Sequence, residues 1–206
     1  MTSVAVTSSP AYAATAIDGC TIVTRPTATH FTNCPGADLS LASLPGTDLS
    51  FANLGGANLT GANLGSATLR HANLAHANLS TVLLGGRDLL NTNLAGADLK
   101  LADLAGADLS IANLTGSSLN RAQMNSANLS SAILNTSVLS GADLTGATLT
   151  GATLTGSRLN RAQMDSANLA EADLNGADLS RADLSGATLG YVSSGGVTGR
   201  PSALPP

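Results

Sequence analysis

The chain has 206 residues, of which 43% are hydrophobic and 2% aromatic, with no Trp. Leu and Ala must therefore build the core, and such small side chains fill a narrow space, which excludes a wide globular interior. Charged residues make up only 11% and the net charge is −4, so the composition offers no basic stripe of the kind that binds nucleic acid or an anionic membrane directly.

In chain order, residues 1–16 read as a disordered N-terminus or a signal-peptide remnant. Ala11-Tyr12-Ala13 has the small residues of a signal-peptidase site, but a basic n-region and an apolar h-region are missing. One reading is the tail of a signal peptide whose beginning was lost to a wrong start site; the other is a floppy end. Residues 17–35 read as an N-terminal cap, with Ile22, Val23 and Phe31 as its plug. A Cys20–Cys34 bridge would close a loop of about 15 residues, contributing about 3 kcal/mol in the chain-entropy model. Two free buried thiols are the alternative. An export signal and a disulfide together point to a secreted protein in an oxidising compartment; without the signal the chain is expected in the cytoplasm. No run of eighteen apolar residues occurs, so no segment spans a bilayer as a helix.

Residues 36–190 carry one unbroken period. From Leu39 to Leu189 every fifth residue is Leu, except Met124 and Met164, giving 31 slots, and Ala stands two residues earlier in 24 of them. Five residues advance about 500° around an α-helix, so successive Leu would smear over all its faces. A flat strand would send alternate Leu to opposite faces. The pattern works only if the chain turns once per pentapeptide, with Leu and the earlier Ala pointing inward. The segments "GSSLNRAQMNSANL" (116–129) and "GSRLNRAQMDSANL" (156–169) are near copies forty residues apart. A copy keeps its faces only across whole turns, so forty selects two coils of twenty over coils of fifteen. Asn53, Asn73, Asn93 and Asn113 recur at the same interval, and their side chains are expected to bond one another between coils. Gly46, Gly56 and Gly61 stand two residues after Leu, where a tight turn often needs a positive φ. Ser, His, Arg and Asn at other such corners imply that not every corner needs it.

Runs such as "GADLSLASL" and "GANLTGANLGSATL" resemble the A(D/N)LXX motif of the pentapeptide-repeat family over about 150 residues. The resemblance implies an all-β solenoid: a right-handed quadrilateral β-helix of about 7–8 coils, 20 residues per coil, with an N-terminal cap. Coils about 4.8 Å apart give a rod roughly 35–40 Å long. Residues 191–206, "YVSSGGVTGRPSALPP", leave the period and read as a Gly/Ser/Pro-rich tail. They resemble the segment joining two repeat blocks in some longer actinobacterial members, so the chain, itself similar to an exported actinobacterial member, reads as the front part of a larger ancestral design.

A core packed with Leu and Ala leaves little room for a substrate, and no nucleophile triad, phosphate loop or HExxH motif occurs, so neither catalysis nor a cofactor or metal is expected. His71 and His76 occupy successive corners and should point apart. Arg87 falls in an Ala slot between Ala67 and Ala107. An unpaired guanidinium cannot stay inside, so either the backbone bulges there or Arg87 threads out to Asp88 or Asp108. Asp98, Asp103 and Asp108 decorate three successive sides, as do Asp173, Asp178 and Asp183, and with Arg87 they are the candidate interaction residues. The expected function is a non-enzymatic scaffold presenting rigid faces to an unidentified protein partner, as a monomer or a weak end-to-end dimer. Resemblance to the quinolone-resistance members implies the alternative, a DNA mimic that binds a type II topoisomerase. Mimicry needs dense acidity, and Arg70, Lys100, Arg121, Arg158, Arg161 and Arg181 interrupt it; Arg161 and Arg181 share one corner beside the wall of Asp165 and Asp183, where exposed ion pairs are expected.

Overall fold

The computed structural model describes residues 6–7, 14–17, 20–23 and 25–205. All its parallel bridges join residues twenty apart, from Asn33↔Asn53 to Asp183↔Ala203. One winding is therefore four pentapeptides, and the chain is a repeat β-solenoid. We number the sides in chain order from Leu39: side one holds Leu39 and Leu59, side two Leu44 and Leu64, side three Leu49 and Leu69, side four Leu54 and Leu74. Each side contributes one bridged residue between turns, too short to count as a strand of its own.

The turns explain the period. At a representative corner the Ala112 N–H donates to the Leu109 carbonyl (3.0 Å), closing a four-residue turn. The third residue of that turn, Ile111, has φ 51°. A positive φ at the third position alone is the signature of a type II turn. Glycine supplies it readily at Gly106 and Gly116, with φ 65° at both. The expectation that other residues escape this conformation is corrected by the structure. Leu41, His71, Thr81, Arg121 and Arg161 all hold φ between 54° and 60°. Their N–H groups are what the stack demands: Ile111 donates to Ser130 (2.9 Å) and Arg121 to Ser140 (3.1 Å), each in the next winding. That ladder offsets a left-handed penalty of about 1–2 kcal/mol per residue.

Inside, the leucine slots from Leu49 to Leu169, including Met124 and Met164 on side two, are fully buried. The alanines two residues before them complete one continuous core. On side four the predicted amide ladder is present: Asn73 donates to Asn53 (3.1 Å), Asn93 to Asn73 (3.0 Å) and Asn113 to Asn93 (3.3 Å).

At the N-terminus, β1 (Val6–Thr7), β2 (Ala14–Ile17) and β3 (Cys20–Val23) form an antiparallel sheet in that order. Part of the segment read as disordered is thus paired, with Thr15 opposite Ile22 and Ile17 opposite Cys20 in the backbone register. The candidate cleavage site Ala11-Tyr12-Ala13 lies outside the described residues. Ile22 and Cys20 join the same core as Leu39 and Leu44. The Val23 N–H donates to Thr32 Oγ1 (3.0 Å). The Sγ atoms of Cys20 and Cys34 stand 2.06 Å apart. The winding starts earlier than the leucine run, because Thr32 and Cys34 occupy the alanine and leucine slots ahead of the first coil.

The C-terminal segment does not leave the winding. Asp173↔Ser193, Asp178↔Thr198 and Asp183↔Ala203 continue the bridges. Val192 and Val197 take the alanine slots and pack on the core, and Leu204 takes a leucine slot. The period is hidden in the sequence because Ser194 and Gly199 stand where leucine would.

Leu109→Ala is expected to lower the unfolding free energy by about 2–5 kcal/mol. Ile111→Gly should raise it by about 1 kcal/mol, by relieving a left-handed β-branched residue. Urea unfolding followed by circular dichroism measures both.

Candidate functional site

A solenoid offers its outward side chains, sorted into columns by the twenty-residue winding. Arg87 is the first to examine. It is half-buried, and its Nε donates to the Gly85 carbonyl at 2.9 Å. Neither expected outcome occurs. No residue is inserted, since Leu84 and Leu89 keep their slots at 0% exposure. No carboxylate is reached either, since Asp88 pairs with Arg70 at 3.0 Å instead. The ladder opens in place of a bulge. Among the described residues, the bonds from Leu64 N–H to Leu83, Ser66 N–H to Gly85 and Asp88 N–H to Ala67 are missing. The bridges Asn63–Leu83 and Thr68–Asp88 are missing with them. Toward the following winding the ladder holds, with Asp108 N–H on the Arg87 carbonyl at 2.9 Å. A guanidinium is too large and too polar for an alanine slot, so the two windings part beside it.

The six aspartates have a structural task. Oδ1 of Asp98, Asp103 and Asp108 accepts the N–H two residues on, from Lys100, Ala105 and Ser110, at 3.0–3.1 Å. Asp173, Asp178 and Asp183 do the same with Asn175, Ser180 and Ser185 at 2.9 Å. Such Asx turns pin the entry to each corner, and Asn73 and Asn93 make the same bond. One oxygen is therefore committed in each; the second accepts from Lys100 at Asp98 (3.1 Å) and from Thr155 Oγ1 at Asp173 (3.0 Å). The hydroxyl and then the N–H of Ser180 hold the Asp178 carboxyl below the ordinary carboxylate range, and Ser185 does so for Asp183.

The winding also reveals a grouping that composition concealed. Beyond Asp98 the basic residues are Lys100, Arg121, Arg158, Arg161, Arg181 and Arg200. Taken in turns of twenty, all six fall within four consecutive positions of the winding, on the edge between sides one and two. Lys100 pairs with Asp98 at 3.1 Å. The exposed Arg121, Arg161 and Arg181 stack on one corner column and make no ion pair among the described residues. The basic residues are therefore gathered in space, with Asp38, Asp98 and Asp178 among them in the same four positions. Reading residue numbers modulo twenty is the signal that finds this edge. The opposite edge, between sides three and four, carries Phe51 stacked on His71 (centroids 5.0 Å apart), the latter bonded to Asn91 at 3.0 Å. His76 stands on the next corner.

Two clefts lie at the ends of the solenoid. One, of about 330 Å³, lies between Ile22 and residues 43–48. The other, of about 350 Å³, is apolar and lies between Leu174, Leu179, Leu184 and Leu189 and the last winding. No helix of the described residues is long and apolar enough to cross a membrane.

Comparison with known proteins is consistent with this geometry. A family model described as pentapeptide repeats matches in 8 copies, over residues 30–61, 47–86, 88–121, 122–161 and 162–192. Among solved structures, HetL, a pentapeptide repeat protein involved in heterocyst differentiation regulation in the cyanobacterium Nostoc sp. strain PCC 7120, is 32% identical. That match covers 80% of this chain and 86% of HetL, with a TM-score of 0.53. Rfr23 from the cyanobacterium Cyanothece 51142 is 32% identical over 50% of this chain and 63% of its own, with a TM-score of 0.33. QnrB1, a plasmid-mediated fluoroquinolone resistance protein, is 19% identical over 82% of this chain and 91% of its own, with a TM-score of 0.35. A search of curated proteins found no match.

Arg87→Ala is expected to close the open seam, raising the unfolding free energy by about 1–3 kcal/mol. Hydrogen exchange should slow at the amides of Leu64, Ser66 and Asp88. The lowered carboxyls of Asp178 and Asp183 add stability above about pH 4 that is lost as pH falls through their folded values. The melting temperature should therefore be flat from neutral pH down to about 5 and drop below 4, less steeply in an Asp178→Asn/Asp183→Asn variant.

Proposed function

Because this chain belongs to the pentapeptide-repeat family, we propose that it works as a non-enzymatic, rigid scaffold whose outer faces engage a protein partner. The observation that carries this reading is the filled shaft. Leucine slots at 0% exposure from Leu49 to Leu169 leave the side chains of chemistry on the outside. There they lie on flat columns and do not converge, whereas catalysis needs a concave site with convergent polar groups. In the same reading the coil is right-handed, with about 7–8 coils in the repeat block. The protein is secreted, and Cys20–Cys34 is oxidised, tying the cap to the first winding.

A second reading, the topoisomerase-directed DNA mimic, draws on Asp48, Asp88 and Asp108 in one column of side three and on the acidic band Asp98, Asp103 and Asp108 around one coil. The basic edge interrupts that field, which places this reading second. Inhibition of gyrase supercoiling at low micromolar protein would reverse the order.

Crosslinking capture from the source organism's extracts tests the scaffold reading. Wild type should retain one protein that an Asp98→Asn/Asp103→Asn/Asp108→Asn variant loses at unchanged melting temperature, since Asn keeps the Oδ1 acceptor. Alkylation without reductant, followed by intact-mass measurement, should find no free thiol. A Cys20→Ser/Cys34→Ser variant should lose about 3 kcal/mol of stability.

A further inference from the structure

The edge between sides one and two carries positive charge that the fold does not use. Arg121, Arg161 and Arg181 occupy one column of left-handed corners, with φ 54°, 60° and 59°. With windings about 4.8 Å apart, Arg161 and Arg181 are held as neighbours, and Arg121 lies about 10 Å from Arg161. Stacking like charges this closely is unfavourable unless an anion is shared between them. The nearby acids keep their charge, but none forms an ion pair with the column among the described residues. Asp143 and Asp183 on side two are bonded to the N–H groups of Thr145 and Ser185, and Asp178 on side one to Ser180. On side one Asp98 is taken by Lys100. Asp103 and Asp165 complete the acids of side two, and neither is paired with an arginine.

The duplicated segment gives the edge a second property. Residues 116–129 and 156–169 place the same Asn-Arg-x-Gln group, Asn120-Arg121-Gln123 and Asn160-Arg161-Gln163, on the same columns two windings apart. Gln123 and Gln163 are exposed, and their amides make no hydrogen bond among the described residues. An amide both donates and accepts, which suits a ligand rich in hydroxyls; a phosphodiester chain offers only acceptors. A guanidinium binds a carboxylate or sulfate through a planar two-pronged contact. Binding single-stranded nucleic acid would call for aromatic platforms beside the cations. Here Phe31 lies beside the cap, and Phe51 and Tyr191 are on the opposite edge.

We propose that the Arg121–Arg161–Arg181 edge binds a linear acidic glycan laid along the rod. Its carboxylates or sulfates engage the arginines, and its hydroxyls engage Gln123 and Gln163. The repeat of the two Asn-Arg-x-Gln groups matches a polymer whose charge recurs once per disaccharide. The corners are fixed by the backbone ladder, so little ordering accompanies binding. This proposal does not rest on the protein-scaffold reading: Asp98 and Asp103 border the same edge, but the test below varies the arginines alone.

Affinity electrophoresis of the full chain through gels containing hyaluronate, neutral dextran or duplex DNA tests it. Wild type should be retarded by hyaluronate in a salt-sensitive manner and pass dextran freely. An Arg121→Gln/Arg161→Gln/Arg181→Gln variant should bind about tenfold more weakly with an unchanged melting temperature. Arg70→Gln, on the far edge, should match wild type. Gly141 fills the gap in the column with φ 68°, the conformation Arg121 already tolerates, so Gly141→Arg should strengthen retardation and provides a readout even if the triple variant misfolds. Wild type unaffected by hyaluronate, equal retardation of the triple variant, or stronger retardation by duplex DNA would each overturn the proposal.

Discussion

The hydrogen-bond ladder along the rod closes only if every winding has the same number of residues. That single requirement propagates through the molecule. Each N–H and C=O at the bridged positions meets a partner nineteen or twenty-one residues away, as at Leu109 N–H to Asn128 and Asn128 N–H to Ala107. An inserted residue would break the register for every later side. The seam at Arg87 shows how firmly the register is held. A side chain that does not fit its slot costs local hydrogen bonds, while Leu84 and Leu89 stay fully buried. Nearest-neighbour stability allows this, because a defect is felt by one interface and not by the whole stack.

The same ladder divides labour within the pentapeptide. The two inward positions build the core. The Asn or Asp position is half structural, since its Oδ1 caps the corner it precedes. The two corner residues therefore have the most freedom in side-chain chemistry, although the second must accept a left-handed backbone. Leu41, Phe51, His71, Ile111, Arg121 and Glu171 share that backbone and little else. Chemistry on this fold is best sought at corners, and the aspartates singled out for interaction are partly explained by the turns they hold.

Much of this was legible in the sequence because the period is strict. The forty-residue copy selects four sides, and the wall shared by Met124 and Met164 and the Asn53 to Asn113 amide ladder follow by counting. Two features were not legible, each for a physical reason. Leu41, Thr81 and Ile111 conceal their left-handed corners, since local preference argues against that conformation and only the ladder enforces it. Ser194 and Gly199 conceal the last winding, since side-chain pattern was the guide while backbone pairing continued without it. The shared corner of Arg161 and Arg181 also follows by counting, but the ion pairs expected there with Asp165 and Asp183 do not form among the described residues, since the register gives columns and not side-chain reach.

That last case bears on how charge should be read in any solenoid. A net charge of −4 describes the field at long range, where the rod acts as a point. At physiological ionic strength the Debye length is about 8 Å, comparable with the spacing of two windings and shorter than the distance between opposite edges. A ligand lying on one edge therefore feels the charges of its own column and those beside it, and hardly those behind the core. Lys100, Arg121, Arg158, Arg161, Arg181 and Arg200, with the aspartates of sides one and two beside them, form one such environment, and the aspartates of side three with Arg70 and Arg87 form another. The twenty-residue register decides which charges are neighbours in space, so the net charge of the chain does not give the field over any one edge.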